Sequence, residues 1–262
     1  MEFEAVEQNL RHSFRVLASG RPTGDVRESG GVAIASAGAA FQMFNAAFLA
    51  APVRAHEDDL ERRIAIAQVH FRARGLPWAF WLCEDLLEGK ARRRVARAFE
   101  RFGLFRAAEM PGMLAEQVTP AQRPLPEIEI RRVSDEATRL AFCDVGSVCF
   151  HVPLSWFREI FLWEPAWRTG FTGYVGYVGS EPLATAATVA TPEAIGVYNV
   201  ATLPAQRGRG YGEALMRHAL EEARRHTGCE RTILQSTEDG YTLYLRMGYR
   251  PVTKVAVYAS EG

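Results

Sequence analysis

Tyr198-Asn199-Val200-Ala201-Thr202-Leu203-Pro204, followed shortly by Arg207-Gly208-Arg209-Gly210-Tyr211-Gly212, hands an apolar run over to an amphipathic one through a cluster of glycines. The run Ile195 to Leu203 predicts a strand that stops at Pro204, and Gly212 to His226 has helical periodicity closing at Thr227-Gly228. A helix that starts after such a loop presents unsatisfied N–H groups and the positive end of its dipole. The glycines let a phosphate approach those amides closely. Each amide bonded to a charged oxygen contributes about 1.5 to 3 kcal/mol, so several together hold a pyrophosphate without a metal. A dinucleotide fingerprint fails, because counting from Gly208 and Gly210 its third glycine would fall on Glu213. No Gly-Lys-Ser or Gly-Lys-Thr is present, which excludes the nucleotide-triphosphate loop.

Working outward, Ile128 to Val133 alternates like a strand, and Asp135 to Val148 and Pro153 to Trp163 read as helices. Strands at Phe171 to Val178 and Leu183 to Ala190 meet at Gly179-Ser180-Glu181-Pro182. After the glycine loop and its helix come a strand at Arg231 to Ser236, a short helix at Gly240 to Met247 and a last strand at Tyr249 to Tyr258. The order is mixed α/β, with a parallel crossover through the Gly212 helix. Gln122 to Glu127, with Pro124 and Pro126, reads as a linker and divides the chain into residues 1–122 and 123–262.

The first half repeats the second in degraded form. Phe44-Asn45-Ala46-Ala47-Phe48-Leu49 lies over Tyr198 to Leu203, each run leads to a helix ending in glycine (Gly75 and Gly228), and Phe99 to Leu104 matches Tyr244 to Tyr249.

Composition bounds the function. The 262 residues are 48% hydrophobic with a formal net charge of zero, enough for two cores and without a field to gather nucleic acid or anionic lipid. Lys90 and Lys254 are the only lysines beside many arginines. The N-terminus lacks a secretory signal, so a cytoplasmic location is expected. The uncharged stretch Gly31 to Val53 contains Gln42 and Asn45 and reads as core strands, not a membrane span. Cys83, Cys143, Cys149 and Cys229 show no zinc spacing and are expected to be reduced and mostly buried, and no metal is implied.

Arg207-x-x-Gly210-x-Gly212, behind the Val200 to Pro204 run and ahead of Tyr244-Leu245-Arg246-Met247-Gly248-Tyr249, resembles the signature of the GNAT superfamily of acyl-CoA-dependent N-acetyltransferases. The resemblance covers residues 128 to 262, and the first half only through the repeat. It implies two tandem GNAT-like domains, each a mixed sheet flanked by helices. The second would be catalytic and the first a degenerate copy that does not bind CoA. The co-substrate would be acetyl-CoA, held at Arg207, Gly208, Arg209, Gly210, Tyr211 and Gly212. In the family the fourth strand is bulged and splays from the fifth, which gives Val200, Ala201 and Thr202 to the pantetheine arm; a fully paired core strand is the plain alternative. Tyr244 falls where family members protonate the departing thiolate, against simple packing. Ser236 and Thr237 either bond the pantetheine or cap the following helix.

Some protein-acetylating relatives place a glutamate on the fourth strand, and the corresponding residue here is Gly196. Tyr198, Asn199, His151 and Glu193 remain as candidates for the base. Trp156, Trp163 and Trp167 fall in the region that caps the acceptor site, or else pack in the core. His56-Glu57-Asp58-Asp59 lacks the second histidine of a zinc helix and reads as a helix start, and Arg92-Arg93-Arg94 with Arg97 reads as a solvated face. The expected reaction is direct attack by a primary amine, of a small molecule, on the thioester. A non-catalytic acyl-CoA sensor or scaffold and a protein or peptide acetyltransferase are the alternatives, and a homodimer is compatible with either.

Overall fold

The computed structural model describes residues 1–54, 59–168 and 170–260. The first half contributes α1 (Glu2–Ala18), β1 (Asp25–Ser29), β2 (Val32–Ser36), β3 (Asn45–Leu49), α2 (Asp59–Arg72), β4 (Ala79–Cys83), α3 (Gly89–Glu100) and β5 (Phe105–Ala115). The second contributes β6 (Glu129–Arg132), α4 (Glu136–Phe150), α5 (Leu154–Phe161), β7 (Phe171–Val178), β8 (Glu181–Ala190), β9 (Ile195–Thr202), α6 (Tyr211–Thr227), β10 (Thr232–Gln235), α7 (Glu238–Arg246) and β11 (Arg250–Ala259).

Where the sequence led to a sheet in each half, there is one continuous sheet of eleven strands in the order β1-β2-β3-β4-β11-β5-β10-β9-β8-β7-β6. The closing strands are exchanged. β11, from the second half, lies between β4 and β5, while β5, from the first, pairs along β10. Both halves contain an antiparallel hairpin followed by a parallel crossover, β3 to β4 through α2 and β9 to β10 through α6. The internal repeat is thus present at the level of elements, but its register differs from the motif match. The ladder sets Ala46 opposite Ala79, and Ile195 and Gly196 opposite Thr232 and Ile233. Asn45 therefore falls level with the start of β9, and Asn199 has no counterpart in the shorter β3. The motif match was misled because two apolar strands look alike at any offset.

Helices α6 and α7 pack on one face of the second half, α6 through Leu215, Met216, Ala219 and Leu220, which recur at helical spacing. On the other face lies α1, whose Val6 meets Leu114, Ala194 and Ile233 while Leu10 meets Ala33, Phe48 and Val255. One helix of the first half thus spans strands of both halves. Each apolar side chain it buries contributes about 1.5 to 3 kcal/mol before conformational entropy is subtracted. Asn9 is completely buried at this seam with its amide satisfied: Nδ2 donates to the carbonyls of Val189 at 3.0 Å and Ala194 at 2.9 Å, and Oδ1 accepts from Tyr198 Oη at 2.7 Å.

The aromatic cluster of the second half joins the same seam. Trp167 is buried and donates through Nε1 to the Phe161 carbonyl at 2.8 Å, Trp156 stacks on Phe41 of the first half at 4.9 Å, and Arg21 lies over Trp163 at 6.0 Å. Cys83 and Cys143 are buried, Cys149 and Cys229 half-buried, and all four are free. No described helix is long and apolar enough to cross a membrane, and the described residues contain no group of three or more metal-ligating side chains.

Candidate active site

β9 carries the decisive irregularity. Its antiparallel ladder with β8 pairs Thr185 with Ala201 and Ala187 with Tyr198, so Asn199 and Val200 form a bulge. Asn199 adopts φ 51°, and its carbonyl accepts the Thr185 hydroxyl at 2.8 Å. On its other side β9 pairs with β10 only at Ile195 and Gly196. From Val197 to Thr202 the two strands diverge, leaving a wedge-shaped gap whose β9 backbone faces no strand.

That gap opens into a groove of about 360 Å³ bounded by β9, the glycine loop, the start of α6 and one side of α7. Gly210 is the N-cap of α6 at φ 90°, a conformation that side chains resist, and a Cβ there would also come 3.1 Å from Pro126. The first N–H bonded inside the helix is that of Ala214, to the Gly210 carbonyl at 2.9 Å. The N–H groups of residues 208 to 213 have no hydrogen-bond partner among the described residues. They form a ready anion site at the positive end of α6.

Val200, Ala201, Thr202, Arg207, Gly208, Gly210, Tyr211, Gly212 and Tyr244 all line this groove. Arg209 is exposed and is not among the residues that line the groove. Ser236, expected at the pantetheine, is instead 1% exposed, its hydroxyl donates to the Thr237 carbonyl at 2.7 Å, and it does not line the groove. Thr237, the N-cap residue of α7, lines the groove in its place, without a side-chain cap bond. Ser236 stands just past the end of β10 with its N–H bonded to the Pro111 carbonyl at 3.0 Å, and the turn into α7 brings Thr237 to the groove instead.

Tyr244 is 7% exposed, its ring packs edge-on to Tyr249 at 6.0 Å, and a Cβ on Gly240 would stand 2.6 Å from it. Burial pushes its phenol up to about 12. Its hydroxyl makes no hydrogen bond among the described residues, so a protonated O–H is free for whatever enters. Arg207 crosses the groove, donating through Nε to the Thr202 carbonyl at 3.2 Å and pairing with Asp239 at 2.9 Å.

Arg123, from the linker, and Arg246, inside the tyrosine motif, bring two more guanidiniums that the sequence reading passed over, and Cys149 and Phe150 close the side formed by α4. Spacing gave no signal for Arg123, whereas Arg246 stood two residues from Tyr244 and was open to notice.

Candidate bases fare differently. A Cβ at Gly196 would overlap Asn9 Oδ1, so the space a catalytic glutamate would need is filled by α1. Tyr198 donates its proton to that same oxygen, and burial raises its pKa further. Glu193 precedes β9, at the opposite end of that strand from Thr202, and His151 is the exposed left-handed C-cap of α4. Glu213 does line the groove, but Arg217 holds its carboxylate at 2.9 Å. Asn199 spends its carbonyl on Thr185, and an amide side chain is no base at neutral pH.

Residues 169–251 match the family model described as an acetyltransferase (GNAT) domain. No curated protein sequence matches this chain. Among solved structures, a GCN5-related N-acetyltransferase from Kribbella flavida superposes with a TM-score of 0.73 at 18% identity, covering 98% of this chain and 96% of that chain. A functionally unknown conserved protein from Staphylococcus epidermidis gives 0.63 at 14% identity, over 90% and 93% of the two chains. A tandem GNAT protein from the clavulanic acid biosynthesis pathway gives 0.57 at 13% identity, over 98% and 95%. The second half contains a GNAT acetyltransferase domain, and the chain as a whole has the tandem GNAT fold.

Proposed function

We propose that this protein is an N-acetyltransferase that takes acetyl-CoA into the groove between β9, α6 and α7 and passes the acyl group to a primary amine of a small molecule. The observation that carries this reading is the convergence, on one groove, of a splayed strand, a run of unpaired N–H groups and a free tyrosine hydroxyl. The N–H groups of the loop, with Arg123 and Arg207 beside them, suit a pyrophosphate. The free backbone of Val200 to Thr202 suits the amides of a pantetheine arm. When bound, acetyl-CoA supplies an activated acyl carbon and a thiolate leaving group.

Attack by the amine nitrogen forms the new N–C bond as the C–S bond breaks. Tyr244 holds the proton that the departing sulfur takes up and regains one from solvent, and the proton that the nitrogen carries after its attack passes to solvent. No described group at the groove is placed as a base for it, so the amine arrives already neutral. A primary amine with pKa near 10.4 is only about one part in a thousand neutral at pH 7.4, and turnover is expected to climb with pH. The first half binds no acetyl-CoA in this reading.

Calorimetric titration with acetyl-CoA, followed by thiol release across small amines, amino acids, aminoglycosides and peptides, tests the proposal. One binding site per chain and release with a small amine are expected. Binding without release for any amine would convert the protein into an acyl-CoA sensor, and release with peptides alone would make it a peptide acetyltransferase.

A further inference from the structure

We infer that Gln235, on the far side of the β9/β10 gap from Tyr244, donates a hydrogen bond to the acyl carbonyl oxygen. The inference rests on the acetyl-CoA reading above and adds a residue to it. β10 pairs with β5 through Gln235, opposite Gly112, yet its pairing with β9 ends at Ile233. Gln235 therefore stands on the strand edge where the gap has opened, level with the approach to the bulge. Alternation fixes which way it faces. Leu234 packs with Tyr244 on the groove face, whereas Ile233 packs with Ala5 and Val6 of α1, so Gln235 turns toward α1; it does not line the groove itself and meets the acyl group where that threads through the gap between β9 and β10. A Cβ on Gly112, directly across, would lie 2.8 Å from Val6, which places α1 over this position too.

There the Gln235 amide nitrogen is shut off from solvent and has no hydrogen-bond partner among the described residues. A buried N–H pair without an acceptor destabilises the fold, and its retention beside a gap in the sheet points to an acceptor supplied from outside. The partner must offer an oxygen and no competing donor, as a thioester carbonyl does. As charge builds on that oxygen during attack, the bond strengthens.

The test compares acetyl-CoA with S-ethyl-CoA, which has a methylene in place of the carbonyl, and so needs no knowledge of the amine. By calorimetry the wild type is expected to favour acetyl-CoA about fivefold, the worth of one neutral hydrogen bond. Gln235→Met and Gln235→Leu are expected to bind the two ligands equally, to keep the wild-type affinity for S-ethyl-CoA, and to melt no lower than the wild type. A preference that survives in either folded variant, or is missing from the wild type, overturns the inference while leaving the acetyl-CoA reading intact. A preference lost together with S-ethyl-CoA affinity makes Gln235 a packing residue and overturns it as well. A wild type that binds neither ligand overturns both readings.

Discussion

The two crossovers, β3 to β4 and β9 to β10, have the same connection and opposite outcomes. In the second half the strands pair at two positions, part at a bulge and leave a groove whose loop N–H groups are free. In the first half they pair at Ala46, Ala47 and Phe48, and the chain then returns to the same neighbour, with a parallel bridge between Val53 and Leu87. Val53 N–H donates to the Leu86 carbonyl at 2.8 Å, and Glu88 N–H donates back to Val53 at 3.3 Å. Arg63 of α2, buried and paired with Asp59 at 2.8 Å, donates to the carbonyls of Ala51 and Pro52. In the acetyl-CoA reading, this renewed pairing beyond the three-residue ladder closes the place a pantetheine arm would take. In that reading a bulge of a residue or two, more than any single charged side chain, separates a site from a scaffold.

Gly210→Asp should have the largest effect, because it adds a strained side chain and a negative charge where a pyrophosphate must approach. Acetyl-CoA affinity is expected to fall by a thousandfold or more. Calorimetry of a folded variant checks this. A wild-type stoichiometry of two, or a site that survives the substitution, would break the contrast between the halves. His56, Glu57 and Asp58, read in the sequence as a helix start, lie outside the described residues, and the prediction rests on the pairing of Val53 with Leu87 and on the Arg63 contacts without them.

Tyr244→Phe comes next, with turnover lowered by about a hundredfold and acetyl-CoA affinity near normal, as for an acid that acts mainly in the transition state. Because burial holds the phenol up to about 12, the wild-type rate should rise with pH from 7 to 9 with no falling limb from this group. Equal turnover in the two proteins, where chemistry is limiting, would return Tyr244 to the core.

α1 ties the halves together, and its Glu7 offers a measure of what that tie costs. Burial raises the Glu7 carboxyl from 4.5 to about 7, Arg11 opposing the shift and Glu28 and Glu4 adding to it. Between those values the folded chain keeps a proton that the unfolded chain releases, so the contribution of this group to stability is fully present below about 4.5 and is lost as pH rises through about 7. Glu7→Gln should therefore flatten this dependence and stabilise the protein at pH 8 by about 2 kcal/mol. Denaturant melts at pH 5 and pH 8 read the difference, and parallel curves for variant and wild type would refute it.

The smallest expected effect is the most informative about the first half. Pro52→Gly restores a backbone donor and flexibility next to Val53, yet the Val53 to Leu87 bridge and the Arg63 clamp remain. No acetyl-CoA should bind there. Gain of a second calorimetric site would show that donors, not strand separation, decide the matter.

Local chemistry explains how much of this was legible beforehand. The glycine loop, its helix and the tyrosine motif announce themselves because caps, glycines and periodicity are short-range, and the elements fall within a residue or two of expectation. What escaped was decided over long distances. Nothing near Gly196 in the chain says that Asn9 will occupy its side-chain space, and nothing in the last strand says that it will pair with β4 instead of its own half. Ser236 against Thr237 shows the intermediate case, in which the element is right and the facing residue is off by one.

The exchanged strands also set an order of assembly. During synthesis the edge of β4 stays without its partner until residues 250–259, the last strand of the sheet to be made, have emerged. Those contacts are among the most distant in the sequence, which slows folding and leaves an unpaired edge exposed in the meantime. The first half thus completes its part of the sheet only once the other half of the chain has been translated.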